Sequence, residues 1–158
     1  ARVAQKDGIE RLAGSARRGY EESVAAPMAI VLRDVEVFRP YADEYPQALF
    51  DAIGCSERTQ AQIRDAQFVR IAKLRGEVIG AYAMDATTPS TYTVHALAVA
   101  PGHRQQGLGR WLLGHAIGVC ESKGGRELLV NHRGREHFFA RLGFTPVTHG
   151  WRYEVVPE

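Results

Sequence analysis

The 158 residues, of which 45% are hydrophobic and 24% charged, are enough for one globular domain with a core of its own. The net charge of +2, with basic and acidic residues interleaved, argues against a nucleic-acid partner, and the sequence contains neither a bilayer-spanning apolar run nor a secretory signal pattern. Because Cys55 and Cys120 are too few for a disulfide framework and too isolated for a zinc site, we expect a cytoplasmic protein with reduced thiols and neither metal nor membrane partner.

The first predicted element is an amphipathic helix over Lys6–Tyr20. Its apolar residues recur at helical spacing: Ile9, Leu12, Ala13, Ala16 and Tyr20. Pro27 follows, so we expect residues 1–27 to form an N-terminal helical extension and residues 28–158 to form the main domain. Such a helix packs on its own domain or on a partner subunit, and the second option would give a homodimer.

Strands and short helices are predicted in the next part of the chain. The strands are Met28–Phe38, Phe68–Leu74, Val78–Met84 and Tyr92–Val99. The helices are Gln47–Ile53 and Glu57–Ala66, the second with Ser56 as its N-cap. Arg75-Gly76 predicts a hairpin between the second and third strands, because glycine accepts the positive φ of a tight turn.

A glycine-rich turn, Arg104-Gln105-Gln106-Gly107-Leu108-Gly109, leads from the last of these strands into a helix predicted over Gly107–Lys123. The apolar spacing predicts its buried stripe: Leu108, Trp111, Leu112, Ala116, Val119 and Cys120. A strand at Glu127–Asn131, a helical segment closing on Phe144 and a terminal strand pair follow. This order predicts a mixed α/β sheet with helices on its faces.

The glycine-rich turn has the chemistry of a pyrophosphate cradle. Gly107 and Gly109, two residues apart, allow phosphates to approach bare backbone. The first N–H groups of the following helix have no partners inside it, and the helix dipole favours negative charge at that end. The sequence therefore predicts an anion site over residues 104–110.

These features resemble the acyl-CoA site of the GCN5-related N-acetyltransferase (GNAT) family, whose motif runs Arg/Gln-x-x-Gly-x-Gly/Ala between its fourth strand and third helix. Phe138-Phe139-Ala140-Arg141-Leu142-Gly143-Phe144 is similar to the family's aromatic-Tyr-x-x-x-Gly-Phe ending, and the likeness spans about Thr93–Phe144. It implies the GNAT acyl-CoA N-acyltransferase fold, a mixed, mostly antiparallel sheet with splayed fourth and fifth strands. It also implies acetyl transfer from acetyl-CoA to a primary amine of an unidentified acceptor, by direct attack in a ternary complex.

The resemblance assigns the coenzyme contacts residue by residue. Amides of the turn would bind the diphosphate: Gln105, Gln106, Gly107, Leu108, Gly109 and Arg110. Arg104 would pair with a phosphate. The alternative for Arg104 and Arg110 is that both lie on a solvated surface. The splayed strand Leu97-Ala98-Val99 would hydrogen-bond the pantetheine arm, and a fully paired core strand is the alternative. Asn131, which could instead cap the next turn, and Phe138 complete the predicted coenzyme site.

His95 is the predicted catalytic base, near the position where family members often carry a glutamate or another base. Alternate strand residues share a face, which predicts that His95 lies with Leu97 beside the acyl group. A near-neutral imidazole suits removal of a proton from an amine. The alternative is a core histidine hydrogen-bonded to the fold, and Asp85 is a weaker candidate for binding a cationic acceptor.

The chain departs from the family at Phe139, where many members have the tyrosine that protonates the departing thiolate. Candidates to replace it are Asn131, His137, Tyr82 and Tyr92. The departure supports a second hypothesis, a catalytically weak or inactive acetyl-CoA-binding regulatory module that acts through a protein partner. The enzyme hypothesis stays first because many active members also lack the tyrosine.

Overall fold

The computed structural model describes residues 31–54, 56–132 and 134–157. Within these ranges one seven-stranded sheet runs in the order β1-β2-β3-β4-β5-β7-β6. The strands are β1 Glu36–Phe38, β2 Phe68–Leu74, β3 Glu77–Ala86, β4 Thr91–Val99, β5 Glu127–Val130, β6 Thr145–Val147 and β7 Gly150–Glu154. All neighbours are antiparallel except β4 and β5, which are parallel. The predicted mixed, mostly antiparallel sheet is therefore confirmed.

Helices cover both faces of the sheet: α1 Gln47–Asp51, α2 Glu57–Arg64, α3 Leu108–Ser122 and α4 Glu136–Arg141. The larger core lies beneath α3 and α4 and includes Leu97 of β4 and Leu112 of α3. On the opposite face, Phe50 of α1 and Ile63 of α2 pack with alanines such as Ala96 of β4. Leu97 and Ala96 enter different cores because successive strand residues point to opposite faces.

Two local predictions are confirmed in detail. Ser56 caps α2, since its Oγ accepts the N–H of Thr59 at 3.2 Å. The β2–β3 turn has positive φ at both central residues, +52° at Arg75 and +81° at Gly76. Turns of this handedness match the twist of the strands they join.

Three other predictions differ from the structure or fall outside it. The strand predicted over Met28–Phe38 is wrong in its middle, where residues 32–34 form a 3₁₀ turn closed by Val35 N–H on Leu32 O at 3.0 Å. Its first part, residues 28–30, lies outside the described residues. The predicted buried stripe of α3 is wrong at Trp111, which is 41% exposed, whereas Leu113, which was not predicted, is buried. The predicted helix Lys6–Tyr20 lies outside the described residues.

The register of β4 shapes the centre of the sheet. Met84 pairs with Val94 and Ala83 with Ala96, which leaves His95 as the extra residue of a β-bulge. The pairing of β4 with β5 ends at Val94, so the remainder of β4 pairs with β3 alone. The two strands therefore part at this point, as the resemblance predicts for the fourth and fifth strands.

Cys120 is a buried free thiol whose Sγ lies 3.7 Å from the Glu127 carbonyl oxygen. Burial, followed by the charge of Glu121, raises its pKa to about 11, which fits the expected reduced packing residue. Cys55 lies outside the described residues. No helix in the described ranges has the length and apolar character needed to cross a membrane.

Candidate functional site

The turn between β4 and α3 has an unusual backbone conformation. Gln105 and Gly107 have left-handed φ angles of +60° and +82°, and this alternation curls the backbone into an anion-binding concavity. Gly107 is the N-cap of α3, and no side chain there accepts a first-turn N–H. The positive end of the α3 dipole therefore lies at this turn without a side-chain cap.

A cleft of about 440 Å³ lies between this turn and α4. Six of its lining residues carry basic side chains: His103, Arg104, Arg110, Arg135, His137 and Arg141. Among the residues that the structure describes, none with an acidic side chain lines it. The N-terminus of α3 and these basic side chains give the cleft the chemistry that an anion requires.

Most residues predicted to bind the coenzyme line this cleft. They are Val99, Arg104, Gln105, Gly107, Leu108, Gly109, Arg110 and Phe138. The lining does not include four others, which are Leu97, Ala98, Gln106 and Asn131. Asn131 is exposed just beyond the end of β5, rather than within that strand.

Arg104 has a structural contact that the sequence did not predict. Its Nε donates to the carbonyl of Val99 at 3.1 Å, which ties the turn to the end of β4. Arg104 also lines the cleft, so one side chain both braces the turn and adds positive charge.

Sequence reasoning missed the basic contribution from α4. Arg135 and Arg141 line the cleft, as does His137, and the Arg135 guanidinium lies 5.7 Å from the ring centroid of Phe138. The signal available in the sequence was that Arg135, His137 and Arg141 recur within and just before the short helix that precedes Phe144.

His95 lies where β4 and β5 part. Its Nε2 is 3.2 Å from Asp85 Oδ2, and the residue is 5% exposed. Burial lowers the pKa of the imidazole, while the charge and hydrogen bond of Asp85 raise it. The prediction that His95 shares a face with Leu97 is wrong, because the bulge reverses the alternation and Leu97 belongs to the core beneath α3.

Neither Phe139, at the position of the missing tyrosine, nor the two tyrosines considered as replacement acids lines the cleft. Phe139 is fully buried and stacks on Trp151, with ring centroids 5.3 Å apart. Tyr82 is buried with its hydroxyl 2.8 Å from His115 Nδ1, and burial raises its pKa well above the usual value. Tyr92 is buried against Phe68.

In the part of the chain that the structure describes, no group of three or more histidine, cysteine, aspartate or glutamate side chains could hold a metal ion.

Comparison with known families gives a match over most of the domain. Residues 32–144 match the sequence model described as the acetyltransferase (GNAT) family. The matched range includes the motif turn, His95 and the ending at Phe144. No sequence match was found among curated proteins.

Many solved structures share the fold. A GNAT family acetyltransferase from Elizabethkingia anophelis with acetyl-CoA bound has a TM-score of 0.65 at 22% identity, covering 72% of this chain and 78% of that one. An IAA acetyltransferase from Bacillus cereus has a TM-score of 0.64 at 28% identity, covering 72% and 79%. A GNAT family acetyltransferase from Brucella melitensis in complex with acetyl-CoA has a TM-score of 0.61 at 16% identity, covering 78% and 90%.

Proposed function

Because this chain belongs to the acetyltransferase (GNAT) family, we propose that it transfers the acetyl group of acetyl-CoA to a primary amine by direct attack in a ternary complex. The observation that carries the proposal is the cleft at the N-terminus of α3, where uncapped backbone N–H groups and six basic side chains meet. The diphosphate of acetyl-CoA would lie against residues 104–110. Directed donors and positive charge are what a phosphate requires.

The edge of β4 beyond Val94 supports the same placement. This segment pairs with β3 on one side and has no β5 partner on the other. An extended pantetheine arm could therefore add to β4 in the manner of a strand. The arm would lead from the cleft at Val99 toward His95, a span of four residues along the strand.

His95 is the proposed base. The amine nitrogen attacks the thioester carbonyl carbon, a C–N bond forms, the C–S bond breaks, and the amine proton passes to the imidazole. The lowered pKa of His95 keeps the ring neutral, and so able to accept a proton, at physiological pH.

The leaving group does not require the missing tyrosine. An alkyl thiol has a pKa of about 8.5, so coenzyme A can depart as a thiolate near neutral pH. Phe139, which cannot donate a proton and is closed off from the cleft, is thus compatible with turnover.

A second candidate function is an acetyl-CoA-binding regulatory module. The observation that favours it is the α4 side of the cleft, which carries His137, Phe138, Arg141 and Leu142 but no tyrosine hydroxyl. Such a module would hold acetyl-CoA and act through a protein partner without transferring the acetyl group.

Thiol release distinguishes the two functions. The full chain is incubated with acetyl-CoA and a panel of polyamines, amino acids, aminoglycosides and peptides, and free thiol is followed over time. Release above the rate of solvent hydrolysis with at least one amine supports the enzyme. Tight binding of acetyl-CoA with no amine-dependent release would support the regulator instead.

A further inference from the structure

We propose that the amphipathic helix predicted over Lys6–Tyr20 docks on its own domain, in an apolar groove that α3 forms with Leu32. The segment itself lies outside the described residues, whereas the groove lies within them. The inference goes beyond acetyl transfer, because it concerns a second cavity next to the anion cleft and names the part of the chain that fills it.

The groove is a cavity of about 480 Å³ at the N-terminal half of α3. It is lined by Leu32, Gly107, Arg110, Trp111, Gly114 and His115. Trp111, whose ring is large and mostly apolar, is 41% exposed. Gly114 leaves the groove open, since a Cβ at that position would meet nothing within 4 Å among the described residues. An exposed tryptophan beside an open cavity of this size indicates a surface that binds a partner.

The described part of the chain begins at the rim of this groove. Val31, its first residue, is 47% exposed, and Leu32 lines the groove. Leu32 Cδ1 lies 3.6 Å from the position that a Cβ on Gly107 would take, so this end of the chain lies against the motif turn. The residues that precede Val31 are therefore attached beside the groove.

The connection from the predicted helix to Val31 is long enough for docking. Tyr20 and Val31 are eleven positions apart, which corresponds to an extended span of about 36–40 Å at most. The whole of α3, with 15 residues, is only about 22 Å long. The connection can therefore place the helix at any point along the groove.

The predicted helix carries an apolar surface that suits the groove. With 3.6 residues per turn, its apolar side chains fall within about 100° of arc: Ile9, Leu12, Ala13, Ala16 and Tyr20. Arg11 and Arg18 fall on the opposite face. A stripe of this width is what a surface helix buries against its neighbour. A short tether also gives an effective concentration on the order of millimolar, which favours the groove of the same chain over that of a second copy.

The fluorescence of Trp111 in the full chain reports on the occupant of the groove. Subtracting the spectrum of Trp111→Phe removes the emission of Trp151, which is 6% exposed. We expect the remaining wild-type emission to be blue-shifted and protected from acrylamide, because the docked helix excludes water from the ring. Leu12→Asp, which places a charge in the apolar stripe, should shift the emission to longer wavelength and raise the quenching. Ser15→Asp adds the same charge outside the stripe and should change neither.

Amide hydrogen exchange tests the contact from the side of the segment. In the wild type we expect residues 9–20 to exchange more slowly than their intrinsic rates, and Trp111→Ala should remove that protection. Glu121→Ala is the matched control, because Glu121 is an exposed residue of α3 that does not line the groove. This variant should retain the protection.

Equal spectra for Leu12→Asp and the wild type would overturn the proposal, as would protection of residues 9–20 that persists in Trp111→Ala. Protection that rises with protein concentration would assign the groove to a second copy of the chain. Shielding of Trp111 that develops only when acetyl-CoA is added would assign it to the coenzyme, and either assignment overturns the proposal. None of these measurements depends on acetyl transfer, so they are distinct from a failure of the proposed function.

Discussion

His95 determines the expected pH dependence of the reaction. Burial lowers the pKa of its imidazole, so the ring is neutral near pH 7 and becomes protonated only below its ordinary value of about 6.5. The rate should therefore be flat near neutrality and fall on acidification. His95→Gln should lower kcat by about 10²–10⁴, the usual contribution of a general base, and abolish the acid limb.

The matched control is His149→Gln, at an exposed histidine in the β6–β7 turn. This variant should retain both the rate and the acid limb. An acid limb that persists in His95→Gln would assign the titrating base to another residue.

A substitution at Phe139, the position of the missing tyrosine, tests whether this residue serves packing or catalysis. Its ring is fully buried and packs edge-on against Phe138 and Phe144 as well as stacking on Trp151. A hydroxyl added there enters apolar packing, so Phe139→Tyr should lose about 1–3 kcal/mol of stability with no gain in kcat. Urea denaturation and thiol release measure the two quantities.

Phe138→Tyr serves as the control, because Phe138 is half-buried and lines the cleft, where a hydroxyl can reach solvent. It should be nearly neutral for stability. A higher kcat in Phe139→Tyr with unchanged stability would show that the hydroxyl reaches the reacting thiol after all.

At the level of elements, the start of α3 depends on the backbone of Gly107. Its φ is +82°, and an added Cβ would meet only Leu32 Cδ1 at 3.6 Å, an ordinary contact. Gly107→Ala should therefore cost about 1–2 kcal/mol through left-handed strain rather than through a clash. It should also weaken acetyl-CoA binding, because the turn can relax away from this conformation.

Gly114→Ala is the control within the same helix. A Cβ at Gly114 meets nothing within 4 Å and its φ is not positive, so alanine should stabilise α3 by about 0.5–1 kcal/mol. Melting temperatures and calorimetric titrations of both variants test the pair. Equal effects at the two positions would contradict the role given to the Gly107 backbone.

Strands, helices and the motif turn could be predicted from the sequence because periodicity and turn chemistry are local properties. The bulge at His95 could not, since it is defined by the pairing of β4 with β3. For the same reason the contact between His95 and Asp85 is a tertiary feature, although both residues were considered separately. Apolar spacing also predicted a buried Trp111, whereas the packing of α3 on the sheet exposes Trp111 and buries Leu113.

For the whole molecule, two histidines with lowered pKa values, His95 and His115, link stability to pH. Burial lowers the pKa values of His95 and His115, so below about pH 6.5 the unfolded chain binds protons that the folded chain resists. The free energy of unfolding should therefore fall as the pH drops below that value. Glu44 and Glu127 have lowered pKa values. Their contribution to the free energy of unfolding is therefore lost only at more acidic pH, below about 4.5.

Urea denaturation at several pH values between about 7.5 and 5.5 isolates the histidine effect. The double variant His95→Gln/His115→Gln should flatten the dependence over this interval. A wild-type stability that is constant across this interval would contradict the lowered pKa values of the two rings.

The proposed activity depends most on the cleft between the motif turn and α4, and calorimetric titration of the full chain with acetyl-CoA tests that cleft most directly. We expect exothermic binding, a rise in melting temperature and weaker affinity at high salt, because arginine–phosphate contacts are screened. Gly107→Glu, which places bulk and negative charge at the diphosphate position, should abolish the heat. Neither heat nor a rise in melting temperature with the wild type at millimolar acetyl-CoA would contradict the account.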